Sequence, residues 1–318
     1  MTGTPWVELF RPTKFDDIVL DPLNKKILTN IIKTSYFPNL LFFGPPGTGK
    51  TTTIINLVNS YQEVLGQKNR GLMIHLNASD ERGIDIIRNQ INQFVNSKSL
   101  FNQGTKFVIL DEVDYMTKNA QQALRYLLQT YTSGVRFCLI CNYISRIDEG
   151  LQNEFLRLRF NQLPEHDIIA FLKNISISEK LNMTDKSLTL IQKLYKSDIR
   201  SMINFMQSNQ HIKDDDFNII DETVWSSLYS MIIDKLVPRI NIISFINTTS
   251  SKYNIDKKNI IKDFLNYIIR NKGHQISAPF LNFVENIMHF EDCKNSHYVN
   301  YSLSKLSTLL PLSLPLSL

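Results

Sequence analysis

Residues 39–57 read NLLFFGPPGTGKTTTIINL, and the order of residue types in them decides the fold. An apolar run of strand character enters a loop holding Gly44, Gly47 and Gly49, and the loop opens directly into a segment of helical period. Positions 44–51, GPPGTGKT, satisfy G-x-x-x-x-G-K-[ST] in the strand–loop–helix setting where that pattern binds phosphate. The glycines let the backbone curl so that its N–H groups face phosphate oxygens, and the helix that follows adds the positive end of its dipole. The candidates for binding ATP here are Gly44, Pro45, Pro46, Gly47, Thr48, Gly49, Lys50, Thr51 and Thr52. Lys50 would reach the β- and γ-phosphates, and the Thr51 hydroxyl would serve Mg²⁺. A glycine turn that carries a lysine by chance need not keep all eight residues in place.

Such a loop needs a carboxylate at the end of a neighbouring buried strand. KFVILDEVD, residues 106–114, supplies it about 60 residues downstream. Asp111 would hold the Mg²⁺ shell, and Glu112 would accept a proton from the attacking water. Further strand candidates are LMIHLNA (72–78), VRFCLICN (135–142) and LRLRFN (156–161), with helical segments such as TTTIINLVNSYQEVL (51–65) and IDIIRNQINQFV (84–95) between them. Strands alternating with helices over residues 1–162 imply a parallel sheet covered on both faces, an α/β fold. Residues 163–222 read as helical, opening at Pro164 and Glu165. From 223 to 318, amphipathic segments such as VWSSLYSMIIDKLV (224–237) and KKNIIKDFLNYIIRN (257–271) predict a separate helical bundle.

A chain of 318 residues is long for one core, and 43% hydrophobic with 20% charged residues is the make-up of an ordinary globular protein. The net charge of +5 suits contact with nucleic acid without requiring it. Three cysteines, Cys138, Cys141 and Cys293, argue against a disulfide framework and for a reducing compartment. Cys138 and Cys141 form a CxxC, but residues three apart on a strand point to opposite faces, so they read as core residues rather than metal ligands. No signal peptide is expected at the start of the chain, and no apolar run of about 20 residues predicts a membrane span. The ending LSTLLPLSLPLSL, broken by Pro311 and Pro315, reads as an extended tail.

WVELFRPTKFDDIV (6–19), NASDERGIDIIRNQI (77–91), VILDEVDYMTKNAQQALR (108–125), CNYISRI (141–147) and SDIRSMIN (197–204) complete the picture. In content and order they resemble the boxes of replication factor C small subunits, the AAA+ proteins that load sliding clamps. The likeness covers nearly all of residues 1–222, whereas the last hundred residues match only in length and helical character. It implies an AAA+ RecA-like parallel sheet with a helical lid, followed by an all-α collar through which five subunits assemble as a hetero-oligomer. It also implies other clamp-loader subunits, a sliding clamp and primer–template DNA as partners, and work at the nucleus or another site of DNA replication. Val7, Arg11 and Pro12 fall where the family contacts adenine. Asn142 falls on the sensor that orients the attacking water, and Arg200 on the second sensor, which reaches the γ-phosphate from the lid. Arg82 and Arg88 fall in the segment that tracks template phosphates. QFVNSKSLF (93–101) matches the clamp-docking element, with Phe94, Leu100 and Phe101 as apolar anchors or, equally, core residues.

One departure stands out. The family carries Ser-Arg-Cys before a strand, and its arginine enters the neighbouring subunit's ATP site. Here Asn153, Glu154 and Phe155 occupy those positions, so an acid replaces the arginine finger. Arg157 follows three residues later and belongs to the next strand. Two other readings stay open: a different AAA+ DNA motor, and a loader subunit that binds ATP without hydrolysing it.

Overall fold

The computed structural model describes residues 4–67, 69–79, 84–97, 104–130, 134–181, 183–210, 220–234, 236–253, 255–273, 276–289 and 295–310, with the side chains of 70, 84–88, 295 and 296 left out. The chain forms two compact units, Met1–Asp215 and Asp216–Leu318.

In the first unit the short helix α1 (Trp6–Leu9) and the helix α2 (Pro22–Thr34) precede the sheet. Asp21 starts α2 by accepting from the backbone N–H groups of Leu23 and Asn24, with Pro22 as the first helical residue. There follow β1 (Leu40–Phe43), α3 (Lys50–Val64), β2 (Met73–Asn77), α4 (Ile84–Asn96), β3 (Lys106–Asp111), α5 (Lys118–Thr130), β4 (Val135–Cys141), α6 (Glu149–Gln152) and β5 (Leu156–Arg159). All five predicted strands form, and they pair in parallel in the order β2-β3-β4-β1-β5. Both β1 and β3 therefore point their carboxyl ends to one edge of the sheet, where ligands of open α/β sheets bind.

Period-2 alternation sorts the strand residues between two cores. Leu40, Phe42, Phe107, Ile109, Cys138 and Ile140 pack with Leu28 and Ile31 of α2 and with Ile54, Leu57 and Val58 of α3. Leu41, Val108, Leu110, Phe137, Leu139 and Cys141 pack on the other face with Ile91 of α4 and Leu124, Leu127 and Leu128 of α5. Near-continuous apolar strands are what a sheet buried on both faces requires. The two cysteines sit in different cores, so they do not share a ligand.

After β5 come α7 (Glu165–Ser178), α8 (Asp185–Tyr195) and α9 (Ile199–Ser208). Thr184 caps α8 through Ser187 N–H, and Asp198 caps α9 through Ser201 N–H. The second unit contains α10 (Glu222–Ile233), α11 (Arg239–Tyr253), α12 (Lys257–Asn271), α13 (Ala278–His289) and α14 (Asn295–Leu309). They enclose a core of their own that includes Leu228, Ile246, Phe264, Leu265, Ile268, Phe280 and Leu306. Among the described residues no helix is long and apolar enough to cross a membrane.

Candidate nucleotide site

The loop between β1 and α3 needs its glycines for space as well as for conformation. Gly44 has φ 144° and would carry a Cβ 1.7 Å from the carbonyl oxygen of Phe160; Gly47 has φ 75°, with a Cβ position 1.8 Å from Asp198 Oδ1. A side chain fits at neither. Gly44 N–H donates to the Cys141 carbonyl at 3.3 Å, which ties the loop to the end of β4. Inside the loop, Thr48 Oγ1 donates to the Pro45 carbonyl at 2.9 Å.

Lys50, 7% exposed, aims its Nζ back through the loop. It donates to the carbonyls of Gly44 (2.7 Å) and Pro45 (2.8 Å) and to Asn142 Oδ1 (3.0 Å). Burial lowers its pKa and nearby Arg200 acts the same way; the carboxylates of Asp111 and Asp114 oppose them without reversing the shift.

Asp111 ends β3 beside the loop. Its Oδ2 accepts from Thr51 Oγ1 at 2.7 Å and lies 3.8 Å from His75 Nε2, while its Oδ1 accepts from Glu112 N–H at 2.9 Å. Burial pushes this carboxyl up, but the nearby His75 and the hydrogen bonds from Thr51 and Glu112 N–H outweigh it and hold the pKa below its ordinary value. Glu112 adopts a left-handed backbone with φ 56°. That conformation is disfavoured outside glycine, so the surrounding contacts must hold it.

Asn142 sits just past β4, and the turn it starts is bound to the chain after β3. Asp114, 5% exposed, accepts from the backbone N–H groups of Asn142 (3.2 Å) and Tyr143 (3.1 Å) through Oδ2. The first turn of α9 rests on the loop: Ile199 N–H donates to the Gly47 carbonyl at 3.1 Å. Around the cleft so formed stand Val7, Arg11, Pro12, Pro46, Gly47, Thr48, Gly49, Lys50, Thr51, Thr52, Asp111, Glu112, Asn142 and Arg200, with Ile18, Val19, Phe171 and Ile203 adding apolar wall. Arg11 Nε donates to Thr52 Oγ1 at 3.1 Å, and Asn56 Nδ2 donates to the Pro12 carbonyl at 2.9 Å. Sequence elements up to about 190 positions apart thus meet at one cleft, where Lys50 of the loop, with Arg11 and Arg200 from other elements, faces Asp111 and Glu112.

A family model described as "ATPase family associated with various cellular activities (AAA)" matches residues 40–163. The chain is 44% identical over 216 residues to a probable replication factor C subunit 5 of Caenorhabditis elegans, covering 65% of this chain and 58% of that protein. It is 37% identical over 225 residues to replication factor C subunit 3 of Saccharomyces cerevisiae, covering 70% and 65%. With replication factor C subunit 5 of Homo sapiens it shares 39% identity over 205 residues, covering 64% and 59%. The chain carries an AAA domain and is similar in sequence to replication factor C subunits. The match spans about three fifths of the length of these relatives. In fold the chain is similar to Thermotoga maritima RuvB, with a TM-score of 0.54 at 12% identity over 93% of this chain and 91% of that one.

The remaining residues singled out by the replication factor C resemblance distribute unevenly. Arg82 lies outside the described residues, as do Leu100 and Phe101, and of Arg88 only the backbone on α4 is described. Phe94 packs against the core on the α4–α5 face of the sheet, with Lys106 Nζ 5.3 Å from its ring centroid. Glu154, 37% exposed at its side chain, has Arg125 Nε 3.8 Å from its carboxylate. Arg157 lies on β5 and donates to Gln152 Oε1 at 3.3 Å. Three contributors carried no signal of their own in the sequence: His75, Asp198 and the backbone contacts of Asp114. The β2–β3 register, with Asn77 opposite Asp111, puts His75 on the same face as Asp111 two residues away.

Proposed function

We propose that this chain is an ATP-hydrolysing subunit of a clamp loader, which opens a ring-shaped sliding clamp and sets it on primed DNA. The observation that carries the reading is the pairing of Lys50 with Asn142 and of Thr51 with Asp111 across one cleft, in a chain akin to replication factor C subunits.

In this reading the phosphates of ATP lie along the loop from Gly44 to Thr52, with Lys50 at the β- and γ-phosphates. The adenine lies beside Val7, Arg11 and Pro12. Thr51 and Asp111 offer the hydroxyl and carboxylate oxygens that suit Mg²⁺, and the ion supplies neutralisation of phosphate charge. Asn142 orients the attacking water; Glu112 takes its proton as the water oxygen bonds to the γ-phosphorus and the bond from that phosphorus to the ADP oxygen breaks, leaving ADP and phosphate. Arg200, at the start of α9, reads the γ-phosphate.

Residues 1–162 act as the ATPase domain, 163–222 as a lid and 223–318 as a collar joining this chain to other subunits in a five-membered hetero-oligomer. Arg82 and Arg88 bind primer–template DNA through its phosphates, independently of sequence and sensitively to salt.

The test compares wild type, Lys50→Ala and Glu112→Gln, reconstituted with partner subunits, clamp and primed DNA. Lys50→Ala should abolish or greatly weaken ATP binding. Glu112→Gln should bind ATP and stop turning it over, because only the base is removed. Equal turnover in wild type and Glu112→Gln sinks the catalytic assignment.

A further inference from the structure

Asn142 meets Lys50 through a side-chain oxygen, so the geometry of that contact depends on what holds the Asn142 backbone. Its neighbours on the β4 side give it little: β4 ends at Cys141, and the chain turns immediately. The hold comes from Asp114, which is 28 residues away in the chain. One oxygen, Oδ2, accepts from two successive N–H groups, Asn142 at 3.2 Å and Tyr143 at 3.1 Å. The other oxygen, Oδ1, is buried and meets no hydrogen-bonding group among the described residues. Amide bonds to an ionised oxygen are charge-assisted and stronger than neutral ones, and burial of the carboxylate limits the competition from solvent.

The position of Asp114 explains what it gains. It belongs to the short helical turn Val113–Tyr115, which follows Glu112 directly, and Tyr115 N–H donates to the Glu112 carbonyl at 3.0 Å. Asp114 therefore joins the segment bearing Glu112 to the segment bearing Asn142. The two groups assigned to the attacking water are fixed to each other through its carboxylate.

We propose that Asp114 is a positioning residue for ATP hydrolysis: it clasps the backbone N–H groups of Asn142 and Tyr143 and so fixes Asn142 against Lys50 and relative to Glu112. This rests on the ATPase reading, but the clasp itself is measurable without turnover.

Two variants separate geometry from charge. Asp114→Ala removes both acceptors. Asp114→Asn keeps one oxygen able to accept both N–H groups and puts its amide nitrogen on the unpartnered side. Deuterium exchange at the Asn142 and Tyr143 amides is read by NMR in the full chain. Asp114→Ala should speed exchange at these two sites by about tenfold or more, with the sheet amides unchanged, and Asp114→Asn should stay within about threefold of wild type. Unchanged exchange in Asp114→Ala overturns the clasp whether or not the chain hydrolyses ATP. For turnover, Asp114→Ala should lower kcat by roughly 10- to 100-fold with little change in KM, and Asp114→Asn should recover most of it. If Asp114→Asn turns over as slowly as Asp114→Ala, the carboxylate acts by charge and the positioning role is wrong. If Asp114→Ala turns over at the wild-type rate, the role is equally wrong. Wild type that fails to hydrolyse ATP with partners and primed DNA overturns the ATPase reading instead.

Discussion

Replacing Gly47 with alanine probes how closely the phosphate loop and the first turn of α9 are packed. At φ 75° a side chain costs about 1 kcal/mol through the backbone alone. The new Cβ would fall 1.8 Å from Asp198 Oδ1 and 3.2 Å from Asp198 Cα, so the carboxylate has to leave. Leaving breaks its bonds from Ser201 N–H at 3.0 Å and Ser201 Oγ at 2.7 Å, a helix cap worth about 1 kcal/mol. It also strains the bond from Ile199 N–H to the Gly47 carbonyl, worth about 1 kcal/mol more. The sum is about 3 kcal/mol, which for a unit of this size lowers Tm by roughly 6–12 °C. Gly66 is an internal standard: its φ is 65°, and a Cβ there meets nothing within 4 Å. Gly66→Ala should therefore show only the backbone part, roughly 2–4 °C. Thermal unfolding followed by far-UV circular dichroism on wild type and both variants gives the comparison. Equal midpoints for Gly47→Ala and Gly66→Ala would refute the close packing of loop and helix.

Asp111→Asn keeps an acceptor for Thr51 but removes the negative charge, so nucleotide affinity should lose most of its Mg²⁺ dependence in a titration with and without EDTA. The Asp111 carboxyl is held below its ordinary range, so its bonds stabilise the fold at neutral pH and are lost as pH falls through the lowered value. The stability difference between wild type and Asp111→Asn should accordingly shrink in acid, measured by urea unfolding at pH 7 and pH 3. Arg82→Ala with Arg88→Ala should weaken primed-DNA binding similarly across sequences and flatten its salt dependence; an unchanged slope counts against both residues. An arginine finger is worth roughly 10³ to 10⁵ in rate, so the chain alone, with Glu154 in that place, should hydrolyse ATP slowly. A fast, cooperative ATPase from the lone chain, or a partner site crippled by Glu154→Ala, contradicts this.

The parts of the molecule legible in the sequence are those governed by local period. LLFF, KFVILD and VRFCLIC formed the central strands because a sheet buried on both faces demands apolar runs, and the half-exposed edge strands MIHLN and LRLR showed in their β-rich and alternating residues. The loop at 44–51 was legible because its residue types are tied to its shape: Gly44 lies against the Phe160 carbonyl, Gly47 against the Asp198 carboxylate, and Gly49 takes a left-handed backbone. What the sequence hid are contacts between distant segments with no fixed spacing. Asp114 meets Asn142 across 28 positions, and His75 meets Asp111 only because β2 and β3 pair in one register. Gly47 and Asp198 lie on opposite sides of the first unit's sequence, and nothing in either residue type announces the other. The partner of Glu154 was hidden likewise, since Arg125 comes from α5, and so exposed a pair adds little stability.

The two thiols of β4 give the sheet a built-in chemical clock. Burial pushes the Cys138 thiol far up and, helped by Asp114, takes Cys141 to about 12. At neutral pH only about one Cys141 in 10⁵ is a thiolate, so a maleimide dye passes the folded sheet by. Each cysteine reacts when its own covering layer lifts: the α2–α3 layer for Cys138, the α4–α5 layer for Cys141. With Cys293 replaced by serine, the order in which the dye marks the two would report which side of the domain breathes first.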